Sequence, residues 1–139
     1  MDKRKEILNL HFPSDPRWLR LIRPLVKEAS LISGFSNAES AKIVLAVDEA
    51  CTNIIRHTFC GSLDQELRLE CRQIGKGLEF VLKDRGPVVD CKKIKHRRLE
   101  DVKPGGLGVF FIRQIMSEVK YGRTGGENYI RMVKYAQKR

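Results

Sequence analysis

The chain has 139 residues, of which 42% are hydrophobic and 32% are charged. These proportions fit one soluble globular domain and exclude a disordered or membrane-embedded polypeptide. The 27 basic and 17 acidic residues give a net charge of +10 at pH 7, which favours nucleic acid, an acidic protein surface or a polyphosphate ligand as a partner.

The sequence predicts neither a membrane span nor a signal peptide. No apolar run reaches the roughly 18 residues that a membrane span needs, and residues 1–6 are not followed by the apolar segment of a signal peptide. We therefore expect a cytoplasmic protein. The cysteines form no C-x-x-C pair and do not lie at zinc-ligand spacing with the histidines. All four are predicted to be reduced thiols: Cys51, Cys60, Cys71 and Cys91.

A strand and a first helix open the chain. Residues 6–12 alternate between polar and apolar side chains, which indicates a strand that Pro13 ends. Ser14 or Asp15 is the expected N-cap of a helix that runs to about Ser33. Its apolar residues recur at helical spacing: Leu19, Ile22, Val26 and Ala29. The other face is basic and fits both a solvated surface and a partner-binding surface; it carries Arg17, Arg20, Arg23 and Lys27.

A second helix follows Gly34, with Ser36 or Asn37 as its N-cap, and ends near Phe59 and Gly61. On a helical wheel its apolar residues gather on one arc: Ile43, Val47, Ala50, Cys51 and Ile54. A narrow polar stripe lies nearly opposite: Glu49, Asn53 and Arg56. Taken alone, this stripe fits a solvated outer face as well as a chemical site.

The rest of the chain predicts two hairpins, with a long loop and a third helix between them. Residues 66–74 and 78–83 alternate around a turn at residues 75–77, and residues 119–123 and 128–135 flank a turn at residues 124–127. The third helix follows Gly108, and its apolar side is expected to be Val109, Ile112, Ile115 and Met116. The order of elements predicts an α+β fold, a two-layer sandwich in which three helices cover one face of a mostly antiparallel mixed sheet.

Two further motifs could complete a site with the polar stripe. In Asp84-Arg-Gly86, a glycine lets a flat ligand approach the backbone, and a carboxylate can accept hydrogen bonds from an amino group such as that of adenine. In Gly105-Gly-Leu-Gly108, flexible glycines lead into a helix N-terminus, whose free N–H groups favour phosphate. Each motif alone also fits an ordinary turn or helix entry.

Taken in order, the three motifs resemble those of the GHKL ATPase superfamily, and most closely those of its stand-alone anti-sigma-factor serine kinases. Residues 48–57 look like the N-box of that family, residues 84–86 like its first glycine box and residues 105–108 like its second. The resemblance covers nearly the whole chain. It implies a single histidine-kinase-like ATPase domain over residues 1–139 with a Bergerat-type ATP-binding fold.

The resemblance also implies roles for individual residues. Asn53 would bind Mg²⁺, Glu49 would be the general base, and Asp84 would hold the adenine amino group. The remaining residues expected to bind ATP are Gly86, Gly105, Gly106, Leu107, Gly108 and Asn128. Of these, Asn128 stands where the family often has a threonine near the adenine.

The implied activity is ATP- and Mg²⁺-dependent phosphorylation of serine or threonine on a STAS-domain anti-anti-sigma protein. Sequestration of a sigma factor through Arg17, Arg20 and Arg23 and a homodimer through the first helix and strand are implied in the same way. A regulatory module that holds nucleotide without catalysis is the alternative. A nucleic-acid site at residues 92–98 is disfavoured because no aromatic side chain is interleaved there to stack on bases.

Overall fold

The computed structural model describes residues 4–86 and 111–136. Its strands are β1 (Arg4–Pro13), β2 (Glu66–Ile74), β3 (Gly77–Asp84), β4 (Glu118–Thr124) and β5 (Glu127–Tyr135). Its helices are α1 (Leu19–Ile32), α2 (Asn37–Asn53) and the described part of α3, residues 111–115, which precedes β4. In this part of the chain, no helix combines the length and the apolar character that crossing a bilayer requires.

The strands form one five-stranded sheet in the order β1-β2-β3-β5-β4, and each of these pairings is antiparallel. The predicted α+β fold and both predicted hairpins are confirmed. The β4–β5 turn consists of Gly125 and Gly126, whose φ angles of 59° and 78° suit the tight hairpin turn that glycine favours. Because β3 is the central strand, its last residue, Asp84, lies between β2 and β5.

The helices α1 and α2 cover one face of the sheet and share a core with it. All five residues of the predicted apolar arc of α2 are buried, as are the four predicted apolar residues of α1. The helix starts are also confirmed. Asp15 caps a short 3₁₀ turn, Pro16–Trp18, that leads into α1, and Ser36 forms a capping box with Glu39 at the start of α2.

The end of α2 differs from a regular helix. After Asn53, the segment Ile54–Thr58 forms a π-helical turn, and the Phe59 N–H donates to the Ile54 carbonyl at 3.0 Å. Cys60 and Gly61, with φ angles of 53° and 85°, then end the helical segment where the sequence predicted. Turns of π type are common at functional sites.

Among the described cysteines, the prediction of a reduced thiol is wrong at Cys60. Cys60 is disulfide-bonded, whereas Cys51 and Cys71 are free and buried. The physical difference is position: the two free thiols are enclosed by the core, while Cys60 is only partly buried in the turn that follows α2.

Ion pairs close the second face of the sheet. Glu70 of β2 and Glu79 of β3 are only 4% and 2% exposed. Arg72 lies 2.5 Å from Glu70 and 3.2 Å from Glu79. Lys83 lies 2.8 Å from Glu70, and Arg131 lies 2.5 Å from Glu79. We call these five residues the outer ion-pair network. It satisfies carboxylates that burial alone would destabilise.

Candidate functional site

The turn after β3 packs against the end of the helix that carries the polar stripe. A Cβ atom added at Gly86 would lie 2.7 Å from Thr58 Cγ2 and 2.8 Å from Phe59 Cε1. Both of these residues belong to the continuation of α2 beyond Asn53. The structure therefore brings the Asp84-Arg-Gly86 motif to the end of α2, although the two are distant in sequence.

Asp84 presents a nearly buried carboxylate at the end of β3, with 4% of the residue exposed. Its Oδ1 atom accepts hydrogen bonds from the Gly86 N–H at 3.0 Å and from Asn128 Nδ2 at 2.8 Å. Asn128 is its partner in the β3–β5 register, so the two side chains share one face of the sheet. Within residues 4–86 and 111–136, no hydrogen bond uses Oδ2, which leaves this atom as an acceptor for a ligand.

Two more contacts link this corner to β4. The Asn128 amide nitrogen also donates to the Gly86 carbonyl at 2.8 Å, while its Oδ1 atom accepts from Arg123 Nη1 at 2.7 Å. Arg123 Nη1 lies 3.3 Å from the Gly86 carbonyl as well. We call Asp84, Gly86, Arg123 and Asn128 the Asp84 cluster.

Arg123 was not among the predicted site residues. The signal that could have revealed it is the two-glycine turn, which fixes the β4–β5 register and sets Arg123 opposite Asn128. A cavity of about 130 Å³ opens beside Asp84 and Gly86. It is smaller than the roughly 300–1,000 Å³ typical of a ligand pocket.

Glu49 and Asn53 lie on the flank of α2 that is turned away from α1. Asp48 faces α1, where Arg23 Nε donates to its Oδ1 atom at 2.8 Å, and the next residue of an α-helix is rotated by about 100°. Glu49 and Asn53 are both half-buried. Neither side chain forms a hydrogen bond or ion pair with another residue that the structure describes, so both side chains are available to a ligand.

The predicted phosphate-binding part of the site lies outside the part of the chain that the structure describes. Gly105, Gly106, Leu107 and Gly108 lie outside the described residues, as does the basic run at residues 92–98. Ile112 of α3 and Met116, which follows its last residue, are buried, and Ile115 packs against the core. This confirms three of the four apolar residues predicted there. Val109 also lies outside the description.

The basic face of α1 forms a separate surface. A groove of about 650 Å³ runs between α1 and α2, and Arg20, Arg23 and Lys27 are among its lining residues. Arg23 pairs with Asp48, and Arg17 pairs with Asp15 at 2.7 Å. Arg20 forms no ion pair with any residue in the described ranges, so its charge is available to a partner.

No described group of three or more histidine, cysteine, aspartate and glutamate side chains could hold a metal ion. A Mg²⁺ ion needs no such group, because it keeps several water ligands and takes others from nucleotide phosphates. The free amide oxygen of Asn53, half-buried on α2, is a suitable protein ligand of this kind.

Comparison with known proteins agrees with this geometry. A family model described as a histidine kinase-like ATPase domain matches residues 12–134. The chain belongs to this family. The predicted GHKL resemblance is thereby confirmed, and the match extends over the polar stripe, the Asp84 cluster and the strands after β1 up to residue 134 of β5.

The chain is similar to bacterial serine-protein kinases named RsbW. It is 29% identical to that of Listeria innocua over 136 residues, which covers 92% of this chain and 86% of the relative. It is 22% identical to that of Bacillus subtilis over 143 residues, with 97% and 89% covered.

A solved structure shows the same fold. It contains the RsbU and RsbW domains of a Mycobacterium tuberculosis protein and superposes with a TM-score of 0.64 at 16% sequence identity. The match covers 93% of this chain and about a third of that one, 32%. At this identity the likeness concerns the fold alone.

Proposed function

We propose that this protein is an ATP- and Mg²⁺-dependent serine/threonine protein kinase of the anti-sigma-factor type. The observation that carries the proposal is the contact between Gly86 and the end of α2, which joins Asp84 to the helix of Glu49 and Asn53. Membership of the histidine kinase-like ATPase family supports ATP as the ligand. The relatives named serine-protein kinase support phosphate transfer to a protein.

Each residue of the site has a role that its chemistry allows. Bound ATP supplies the phosphoryl group, and Mg²⁺ offsets its charge. The free Oδ2 atom of Asp84 accepts a hydrogen bond from the adenine amino group, and the Asn53 amide oxygen holds Mg²⁺. Glu49, one turn before Asn53, accepts the proton of the attacking hydroxyl group.

Two further parts of the site complete this proposal. The backbone N–H groups of Gly105, Gly106, Leu107 and Gly108 bind the phosphates. Asn128 belongs to the base side of the site, together with Gly86. We also propose that the protein acts in the cytoplasm.

The proposed substrate is a STAS-domain anti-anti-sigma protein, and a sigma factor is the proposed partner of the basic face of α1. Among the three arginines expected there, Arg20 is the one whose charge is not already paired within the described residues. A homodimer is proposed through α1 and β1. Its support is that β1 is an edge strand and that α1 exposes Leu21 and Ile32, a combination suited to pairing with a second copy.

The test combines calorimetry with mass spectrometry. Wild-type protein should bind Mg-ATP and transfer phosphate to a purified STAS-domain protein. Asn53→Ala should lose most of its Mg-ATP affinity. Glu49→Gln should retain the affinity for Mg-ATP but transfer phosphate at least about 100-fold more slowly than wild type, as expected for loss of a general base.

Asp48→Asn is the matched control for nucleotide binding, because it removes a neighbouring carboxylate that faces α1, and it should bind Mg-ATP like wild type. A wild type that does not bind Mg-ATP, or an Asn53→Ala variant that binds it normally, would refute the proposal. A tight complex in which the partner's mass never changes would favour the non-catalytic regulatory module instead.

A further inference from the structure

We propose that Arg123 and Asn128 act as a clamp that positions the Asp84 carboxylate to select the nucleobase. The inference rests on the proposed ATP binding and adds two positioning residues to it. Its basis is the closed set of hydrogen bonds in the Asp84 cluster, which joins the ends of β3, β4 and β5 on the helix-covered face of the sheet.

The amide of Asn128 is fully oriented by the protein. Its two N–H bonds point at acceptors, Asp84 Oδ1 and the Gly86 carbonyl, each at 2.8 Å. Its oxygen faces a donor, Arg123 Nη1, at 2.7 Å. A flipped amide would set oxygen against two acceptors and nitrogen against a guanidinium, so one orientation is strongly favoured.

This orientation leaves Asn128 no N–H group for a ligand. Its influence on a bound base must therefore pass through Asp84. Asn128 and the Gly86 N–H, the latter at 3.0 Å, both donate to Asp84 Oδ1. These two hydrogen bonds fix the rotation of the carboxylate, so that Oδ2 points away from both donors. The carboxylate then needs no rearrangement when a ligand arrives, which is the basis of pre-organised binding.

Arg123 extends the clamp to the rim of the site. The residue is exposed, yet its Nη1 atom contacts both the Asn128 amide oxygen and the Gly86 carbonyl. It thus holds the β5 side chain and the turn after β3 in one arrangement. Without the guanidinium, the Asn128 amide loses its donor and can tilt away from Asp84.

The clamp predicts which bases the site accepts. A fixed carboxylate oxygen favours a base that presents an amino group, since this group supplies the missing proton donor. A base with only C–H at that position leaves the Oδ2 atom of a nearly buried carboxylate without a donor, which is costly. The chemical class selected is therefore a purine nucleotide with an exocyclic amino group facing Asp84.

The experiment measures base preference by calorimetry with two probes, ATP and purine riboside triphosphate, which lacks the 6-amino group. Wild type should bind ATP more tightly by about tenfold or more, the effect of one hydrogen bond to a charged group. Arg123→Met and Asn128→Ala should each reduce this ratio severalfold. Asn128→Thr, which keeps one hydroxyl donor, should recover part of it.

Lys120→Met is the matched control, because Lys120 is an exposed cation of the same strand. It lies opposite Arg131 in the β4–β5 register, so its side chain is on the other face of the sheet. It should keep the wild-type ratio. A general loss of structure would weaken both probes equally and leave the ratio unchanged, so the ratio separates positioning from stability. If Asn128→Ala does not fold, the exposed Arg123→Met carries the test alone.

The clamp would be overturned if wild type bound both probes equally, or if the Arg123 and Asn128 variants kept the full preference for ATP. Either result would leave the proposed ATP binding intact. A threonine variant no better than alanine would also overturn it, since donation to Asp84 is the proposed route. If wild type binds neither probe, the proposed function fails and this inference fails with it.

Discussion

A Cβ atom on Gly86 would lie 2.7 Å from Thr58 Cγ2, so the turn after β3 and the end of α2 fit together without space for a side chain. The two residues belong to different layers of the fold. The close packing therefore requires a glycine at position 86. It also places the base-binding side of the proposed site directly against the end of the helix that carries its metal-binding side.

Gly86→Ala should destabilise the protein by about 1–3 kcal/mol, the usual cost of overpacking, and should lower its affinity for Mg-ATP. The cost comes from contacts below 3 Å with Thr58 and Phe59. Urea unfolding measures it. Thr58→Ser removes the Cγ2 atom and should relieve part of the loss in the double variant. A Gly86→Ala variant as stable as wild type would contradict the packing.

The sequence was sufficient for the elements with strong local signals. The apolar arc of α2 and the glycine turns of both hairpins have clear periods and turn residues, and the structure confirms them. Gly86 was expected to admit a flat ligand, but its contact with Thr58 also requires a glycine. That reason depends on tertiary packing and leaves no trace in the local sequence.

Three other features were not predicted from the sequence. The π-helical turn at Ile54–Thr58 lies within an ordinary helical stretch of sequence. The alternation in β2 and β3 predicted a polar face, but not that Glu70 and Glu79 would be buried under cations from neighbouring strands. Arg123 enters the site only through the β4–β5 register. Each of these depends on how separate elements pair.

Acid should weaken the fold through Glu70. Burial raises the pKa of this carboxyl group, but the hydrogen bond from Lys83 and the charges of Lys83, Arg72 and Arg68 outweigh burial, so its pKa lies below the ordinary value of 4.5. A lowered folded-state pKa contributes stability above the unfolded-state pKa, and this contribution is lost as pH falls through the folded-state pKa.

We therefore expect the melting temperature to fall as the pH is lowered from about 5 towards 3. Glu70→Gln should be less stable at pH 7, by about 1–3 kcal/mol for a disrupted buried hydrogen-bonded pair, and should show a shallower decline in acid. Thermal unfolding monitored by circular dichroism measures both effects. If the melting temperature fell equally steeply with pH in wild type and in Glu70→Gln, Glu70 would be ruled out as the source of the acid sensitivity.

The free thiols should be inert in the folded protein. Burial raises the pKa of both Cys51 and Cys71 to about 12, so very little of the reactive thiolate form is present at pH 8. Iodoacetamide should modify neither cysteine before unfolding and both afterwards. Mass spectrometry of digests reads the result. Rapid labelling of Cys51 in native protein would show that the core is open.

Arg20→Ala should weaken the proposed sigma-factor complex without changing protein stability, because Arg20 has no ion pair among the described residues to lose. Arg23→Ala should lower stability by up to about 1 kcal/mol, since its pair with Asp48 is partly exposed. Calorimetry at low and high salt measures the interaction, which should weaken with salt. Lys120→Ala is the charge-matched control, and equal losses from Lys120→Ala and Arg20→Ala would argue against a specific surface.

The outer ion-pair network has a consequence for folding. If β3 slipped by one residue against β2 and β5, Glu79 would turn into the apolar core and Phe80 would turn out among the cations. Both faces of the sheet therefore penalise the same error. The correct alignment is also the one that sets Asp84 opposite Asn128. Charges far from the proposed ligand thus help to determine that the base-binding corner forms at all.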